Sequence, residues 1–159
     1  CGGALQGTLD MHVKNANGDS ALIDIKWGGL KYRRKTFEES TYLQLAVYAM
    51  LFHQAEAQWP VLANFIIRDG QMLVLERDYF PNAAIERPAN GENLLEFWQR
   101  VETTWRWRRA QLDEGLIEVA IADTEPDEDS SPGEHGLPMP DTFDAFSDYT
   151  ALTGWGGQE

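Results

Sequence analysis

Alternating apolar and polar residues near the start of the chain predict a β-hairpin. Residues 5–13 (LQGTLDMHV) alternate with the period of two that is typical of a strand with one buried face. Asn-Gly turn chemistry follows in residues 15–20, and residues 21–27 (ALIDIKW) predict a second, more apolar strand. We therefore expect the two strands to pair antiparallel.

Helical periodicity replaces the alternation in the next part of the chain. Residues 27–35 (WGGLKYRRK) contain two adjacent glycines and four basic residues, and we expect them to form a basic loop. A helix is predicted over residues 38–58, and Pro60 ends it. The apolar side of this helix is expected to consist of Leu43, Val47, Met50 and Leu51.

A second hairpin and a last helix complete the predicted elements. Residues 62–79 indicate two strands joined by a turn at Asp69 and Gly70. The last helix is predicted over residues 92–113, with Gly115 as its stop. Its core stripe is expected to contain Leu94, Trp98, Val101 and Trp105. The order hairpin, helix, hairpin, helix predicts a small α+β or α/β domain, in which helices cover one or both faces of a mixed sheet.

The net charge of −13 is confined to the end of the chain. Residues 1–109 contain thirteen basic and thirteen acidic residues, whereas residues 110–159 contain thirteen acidic residues and no Lys or Arg. The composition therefore predicts a domain over residues 1–120, which is neutral up to residue 109, and an acidic, flexible tail over residues 121–159. A charge of −13 spread over the whole surface would argue against a nucleic-acid partner, but this distribution removes that objection.

Several classes of protein are excluded by simple counts. A single cysteine rules out a disulfide framework within the chain and any site held by four of its cysteines. No apolar run approaches the roughly 18 residues of a membrane span, and no signal peptide is evident. Because the first residue is Cys1, we expect the chain to be a fragment of a longer protein.

The first hairpin carries the candidate chemistry. Asp24 and Lys26 lie two apart on a strand and so share a face, and Asp10 falls close to opposite them on the partner strand. Two carboxylates about 4 Å apart repel by about 4 kcal/mol at an effective dielectric of 20, so a cation must compensate them. Lys26 or a divalent metal such as Mg²⁺ would serve. A structural Asp–Lys pair at a strand end is the alternative.

Three ordered motifs resemble those of a known nuclease family. GTLD (7–10), IDIK (23–26) and QLAVY (44–48) resemble the G-x-x-D, D-x-K and Q-x-x-x-Y series of the PD-(D/E)XK nucleases, in their RecB-like branch. The resemblance covers about a third of the chain, over residues 4–52. It implies a restriction-endonuclease-like core and a metal-dependent deoxyribonuclease, acting in DNA repair, recombination or phage DNA processing. It also implies a cytoplasmic location in a bacterial or phage-like context.

The resemblance also implies roles for individual residues. Asp10 and Asp24, assisted by the Ile25 carbonyl, would hold Mg²⁺ or Mn²⁺, and Lys26 would act on the attacking water. The residues that would organise the site or contact DNA are Gln44 and Tyr48. The resemblance further implies that the domain works with a helicase-like or other region of a larger parent protein. The alternative is a catalytically inactive nuclease-fold module that binds DNA or a protein partner.

The sequence departs from the family at its start. Members of the family carry a Glu or His on an upstream helix, and the chain has only nine residues before Asp10. We therefore expect an N-terminally truncated core with an incomplete site. Candidate substitutes are His12, Glu38 and Glu39, although His12 and His53 are more typical of ordinary surface histidines. A lone cysteine cannot hold the iron–sulfur cluster that some relatives contain.

Basic residues next to this site are the candidate DNA contacts. The basic residues are Lys31, Arg33, Arg34 and Lys35, and Tyr32 lies among them. The four cations would position a phosphate backbone, and Tyr32 could stack on an unpaired base, which indicates DNA with single-stranded character. The alternative is a solvated basic loop. For the second cluster, residues 105–109, we expect a structural role that complements the dipole at a helix C-terminus.

Aromatic residues alternate with acids in residues 142–155 of the tail. This pattern suggests docking, either on a partner or on the chain's own basic loop as a nucleic-acid mimic. Deletion of residues 123–159 tests the mimic: an unchanged DNA affinity at low salt would exclude it.

Overall fold

The computed structural model describes residues 5–76, 79–116 and 132–137. Cys1 and most of the predicted acidic tail, including its aromatic segment at residues 142–155, lie outside the described residues. The elements are β1 (Met11–Lys14), β2 (Ser20–Lys26), α1 (Leu30–Glu38), α2 (Leu43–Glu56), β3 (Val61–Ile66), β4 (Gln71–Leu75), β5 (Ala84–Glu86) and α3 (Leu94–Asp113).

The described strands form a single five-stranded mixed sheet in the order β1-β2-β3-β4-β5. β1 with β2 and β3 with β4 are antiparallel, and each of these pairs is one of the two predicted hairpins. β2 with β3 and β4 with β5 are parallel. The predicted α/β class is therefore confirmed as a mixed sheet with three helices, and the short strand β5 is an element that the sequence pattern did not indicate.

The first hairpin is closed by an asparagine side chain. The Asn15 Oδ1 accepts the backbone N–H groups of Asn17 and Asp19, each at 2.9 Å, and Gly18 takes a φ of 91°. Such side-chain acceptors and positive-φ glycines are typical of tight turns. β1 begins only at Met11, so the prediction of a strand from residue 5 was too long by six residues.

The predicted basic loop is largely a helix. α1 begins at Leu30, after Gly29 with a φ of 85°, and it includes the basic run. Straight-chain Leu, Lys and Arg residues favour helix, and this preference outweighs the two glycines, which lie before α1. α1 ends beside Ser40, whose φ is 53°, so the predicted helix over residues 38–58 is divided and α2 begins only at Leu43.

Ring contacts show which face of the sheet α2 covers. The His12 ring of β1 lies 5.0 Å from the Phe52 ring of α2, and His12 pairs with Leu22. Since paired and alternate residues share a face, α2 lies on the face that contains Leu22 and Asp24. The predicted apolar side of α2 was wrong: Leu43 is exposed, and the buried residues are Leu45, Ala46 and Ala49.

α1 covers the same face further along the sheet. The Arg34 side chain contacts Gln71 of β4 and Glu86 of β5. Gln71 alternates with Leu73, which pairs with Asn64 beside Asp24, so all these side chains share one face. Large fully buried side chains of this helix-covered layer include Leu22, Leu62, Ile66 and Leu73 of the sheet and Phe37 of α1.

The other face of the sheet has its own apolar cluster. It consists of Ala21, Ile23, Val61, Ala63 and Val74. Tyr79, Phe80 and Ala83, from the connection between β4 and β5, pack against it, and the Tyr79 hydroxyl donates to the Asp19 carbonyl at 2.9 Å. Both faces of β2 are therefore buried, which explains its more continuous apolar sequence.

The last helix begins at a reciprocal cap. The Asn93 Oδ1 accepts the Glu96 N–H at 3.0 Å, and the Glu96 carboxylate accepts the Asn93 N–H at 2.9 Å. The predicted core stripe was wrong at Trp105, which is 62% exposed, while Phe97 is fully buried. Periodicity identifies an apolar face, but burial also requires another element that covers it.

The chain divides into two compact units, Cys1–Trp98 and Gln99–Glu159. Within the described part of the second unit, Arg100 donates to the Gly136 carbonyl at 3.0 Å, and the Leu137 N–H donates to the Thr104 hydroxyl at 2.7 Å. Across the described residues, no helix has both the length and the apolar character needed to cross a membrane.

Candidate metal and nucleic-acid site

A buried ion pair lies at the end of β2. The Lys26 Nζ is 2.9 Å from the Asp24 Oδ2, and Asp24 is only 5% exposed. The structure thus brings together the two residues that strand alternation placed on one face. A buried carboxylate needs a compensating charge, and in this arrangement Lys26 supplies it. The geometry serves a structural pair and a catalytic pair equally well.

Asp10 reaches the same strand through its side chain. The Asp10 Oδ2 accepts the backbone N–H of Ile25 at 2.9 Å. Because the N–H and C=O groups of one strand residue project to the same side, the Ile25 carbonyl points to the side of β2 on which Asp10 lies. The pairing of Met11 with Ile23 also leads directly to Asp10 opposite Asp24. Asp10 and Asp24 therefore lie at corresponding positions on the two arms at the end of the hairpin, and the Asp10 carboxylate is held on the backbone of Ile25.

Gln44 and Tyr48 lie next to the segment that leads into Asp10. The Gln44 Nε2 donates to the Tyr48 hydroxyl at 3.2 Å. A Cβ atom built on Gly7 would lie 2.8 Å from the Tyr48 Cε1, so the backbone of Gly7 lies against the Tyr48 ring. α2 also packs on the face that contains Asp24. The three motif segments, residues 7–10, 23–26 and 44–48, are therefore neighbours in the fold.

Two of the three candidate substitute ligands, His12 and Glu39, make other contacts. The His12 ring packs on Phe52, and the Glu39 carboxylate lies 3.4 Å from the Lys35 Nζ. The His53 ring stacks on Trp59 at 4.3 Å. No described group of three or more His, Cys, Asp or Glu side chains is arranged to hold a metal ion. The carboxylates at this end of the hairpin are those of Asp10, on the Ile25 N–H, and of Asp24, on Lys26.

The five residues predicted to contact DNA do not form one surface. Arg34 contacts Glu86 and Gln71, each at 3.4 Å, and so links α1 to the sheet. The Arg33 guanidinium lies 5.0 Å from the centre of the Tyr32 ring. Lys31, Tyr32 and Lys35 are exposed. The run is therefore divided by helix geometry into a sheet-facing arginine and an outward-facing group.

The second basic cluster forms ion pairs within α3. Arg106 pairs with Glu102 at 2.8 Å and Arg109 with Asp113 at 2.6 Å, each four residues apart. The Arg108 guanidinium lies 4.4 Å from the Trp107 ring centre. The predicted interaction with the helix dipole was wrong, because the last turn of α3 contains no basic residue. The structural interpretation of this cluster holds through side-chain pairing instead.

Two residues near the site were not identified from the sequence. Asn64 pairs with Asp24 across β2 and β3, shares its face and is 3% exposed. A polar residue within the apolar run LANFII was the available signal. Arg68 follows β3, and its backbone N–H donates at 2.9 Å to the carbonyl of Trp27, the residue after Lys26. Only the parallel pairing of β2 with β3 reveals these two proximities.

Similarity to known proteins does not assign a family or a function to this site. Comparison with protein-family models, with curated proteins and with solved structures found no match to this chain.

Proposed function

We propose that this chain is a metal-dependent DNA nuclease domain of the RecB-like PD-(D/E)XK kind. The observation that supports the proposal most strongly is the convergence of residues 7–10, 23–26 and 44–48. Asp10 bonds to Ile25, and Gly7 lies against Tyr48, so the resemblance in sequence order is matched by proximity in space. The first two segments belong to one hairpin and so must be close; the contact of Gly7 with Tyr48, which joins the third segment to them, is the additional support.

The topology around β2 fits the same proposal. An antiparallel hairpin is followed by a helical crossover, α1 and α2, to the parallel strand β3. We propose that this unit corresponds to the restriction-endonuclease-like core. In it the D-x-K residues lie at the end of a strand that is buried on both faces, while α2 presents Gln44 and Tyr48 beside the hairpin.

The donor set suits a hard divalent cation. Carboxylate oxygens of Asp10 and Asp24 and the carbonyl oxygen of Ile25 would hold Mg²⁺ or Mn²⁺, which prefer such ligands. When bound, the metal would make a coordinated water more acidic and balance charge on the phosphate. Two acids and one carbonyl leave positions for water and substrate, as Mg²⁺ usually requires.

The Lys26 ammonium would have one partner without metal and another with metal bound. Without metal its ammonium neutralises Asp24 at 2.9 Å. With Asp24 engaged by a cation, the ammonium would be available to orient water or to stabilise negative charge on the phosphate. Hydrolysis adds the water oxygen to phosphorus and breaks one P–O ester bond, which leaves a phosphomonoester and a hydroxyl. Gln44 and Tyr48 would hold the substrate or the segment around Asp10.

Cleavage of labelled DNA in Mn²⁺ tests the proposal. Asp24→Asn is expected to abolish cleavage while circular dichroism shows a folded protein. Glu56→Gln, an exposed carboxylate on α2, is the matched control and should cleave as the original chain does. Cleavage retained in Asp24→Asn would contradict the proposal. DNA binding without cleavage and without Mn²⁺ binding would instead support the non-catalytic module.

A further inference from the structure

An open cleft lies between the start of α1 and the turn that follows β3. Its volume is about 580 Å³, and it is lined by Gly29, Leu30, Lys31, Tyr32, Lys35 and Arg68. Three cationic side chains and one phenol ring therefore surround the same space. Cations hold phosphates, and an aromatic ring offers a stacking surface for a base, so the lining combines the two chemistries that a nucleotide chain requires.

We propose that this cleft binds a segment of single-stranded DNA next to the cleavage site. Phosphates lie on Lys31, Lys35 and Arg68, and an unpaired base stacks on Tyr32. The choice of DNA as the ligand rests on the proposed function. The cleft itself and the role of Arg68 rest on the geometry. Arg34 does not line the cleft, and its guanidinium contacts Glu86 and Gln71, each at 3.4 Å.

Arg68 is held over the glycine turn that follows β2. The backbone N–H of Arg68 donates to the Trp27 carbonyl at 2.9 Å. A Cβ atom built on Gly28 would lie 3.4 Å from the Cζ of the Arg68 guanidinium. The guanidinium therefore lies against the backbone of the glycine turn. Its ion partner Asp69 is distant, at 3.9 Å, and the Arg68 side chain is 63% exposed. Such a loose surface pair is weak, so a phosphate can replace it.

The side chains of Lys31 and Lys35 are also exposed to solvent. Lys31 and Lys35 are one helical turn apart on α1 and both line the cleft. Lys35 lies 3.4 Å from Glu39, but both side chains are more than half exposed, so this pair is also weak. The three cations can therefore turn toward a ligand without leaving a buried charge unpaired.

The Tyr32 side chain is the group in the cleft that would distinguish single-stranded from duplex DNA. Its side chain is 60% exposed, and the Arg33 guanidinium lies 5.0 Å from the ring centre. The cation supports the ring while much of its surface remains open. Only an unpaired base can leave its own stack to lie on such a ring, so Tyr32 favours single-stranded DNA.

The cleft is close enough to share a strand with the cleavage site. Gly29 is three residues after Lys26, so their Cα atoms are at most about 11 Å apart. A strand held in the cleft is therefore within about two nucleotides' length of Lys26. The cleft would hold the substrate in position while these residues act on a neighbouring phosphate.

Fluorescence anisotropy with a labelled oligothymidylate, in EDTA so that no cleavage occurs, tests the inference on the full chain. Tyr32→Leu is expected to weaken binding at least about fivefold, whereas Tyr32→Phe should retain most of it. Arg68→Ala should weaken binding and reduce the slope of log K against log salt by about 0.7. Lys14→Ala and Arg87→Ala, exposed basic residues outside the cleft, are the matched controls.

The outcomes separate this inference from the proposed function. Unchanged binding in Tyr32→Leu and Arg68→Ala, or no binding by the original chain, would overturn the cleft even if Mn²⁺-dependent cleavage through Asp24 is intact. Loss of binding in these variants together with cleavage retained in Asp24→Asn would keep the cleft and reject the nuclease site. Equal binding of duplex DNA, or tighter binding of oligouridylate, would overturn the assignment to single-stranded DNA.

Discussion

The Asp24 carboxylate and the Lys26 ammonium lie 2.9 Å apart on one face of β2, with the carboxylate buried beneath the helices. Each charge compensates the other in the absence of metal. A divalent cation on Asp24 would replace Lys26 as the compensating charge, which would free the ammonium for a water or a phosphate. If the proposed metal site exists, the pair would couple the stability of the domain to its occupancy.

Removal of the ammonium alone should destabilise the domain. Lys26→Met leaves the Asp24 carboxylate buried without its partner, and we expect a loss of about 2 kcal/mol in the free energy of unfolding, below the range for fully buried pairs because Lys26 is partly exposed. Urea denaturation measures it. The double variant Asp24→Asn, Lys26→Met should recover most of this loss, and strictly additive losses would contradict the coupling.

Mn²⁺ should raise the unfolding temperature through Asp24. A cation that binds only the folded chain stabilises it by about 2.7 kcal/mol at a concentration one hundred times its Kd. Differential scanning calorimetry should show this gain in the original chain and in Glu56→Gln but not in Asp24→Asn. Lys26→Met should gain at least as much as the original chain. An equal shift in Asp24→Asn would place the metal elsewhere.

Gly7→Ala should reduce cleavage through Tyr48. The new methyl group would lie 2.8 Å from the Tyr48 Cε1, so the ring or the segment leading to Asp10 must move. Because Gly7 is exposed, the free energy of unfolding should change by less than about 0.5 kcal/mol. Thr8→Ala, also exposed, is the neighbouring control. The effect of Gly7→Ala on the cleavage rate should disappear in a Tyr48→Ala background, and persistence there would refute the contact as its cause.

Ala57→Gly should stabilise the end of α2. Ala57 follows the helix with a φ of 53°, a conformation that favours glycine, and its N–H donates to the His53 carbonyl at 2.8 Å. We expect a gain of about 1 kcal/mol in the free energy of unfolding by urea denaturation. Ala55→Gly, two residues earlier within the helix, should lose about 1 kcal/mol. Losses of similar size in both variants would contradict this account.

Local patterns were sufficient for the two hairpins. Alternation and turn residues predicted β1 with β2 and β3 with β4, because strand pairing across a short turn is encoded within about twenty neighbouring residues. The same patterns misjudged the basic run as a loop and placed Trp105 in the core. The first error gave more weight to two glycines than to the six residues of α1 that favour a helix, which are one Leu, two Lys, two Arg and one Glu. The second assumed that an apolar stripe is covered along its whole length.

The α/β class, the shared face of Asp24 and Lys26 and the order of the three motifs could all be predicted from local patterns. Which of these side chains meet depends on the packing of the whole domain. Asp10 reaches Ile25, Gly7 lies against Tyr48, and Asn64 is placed beside Asp24 by a parallel pairing that follows two intervening helices. Periodicity acts over a few residues, whereas these contacts depend on which faces pack together when the apolar surfaces of distant elements leave water.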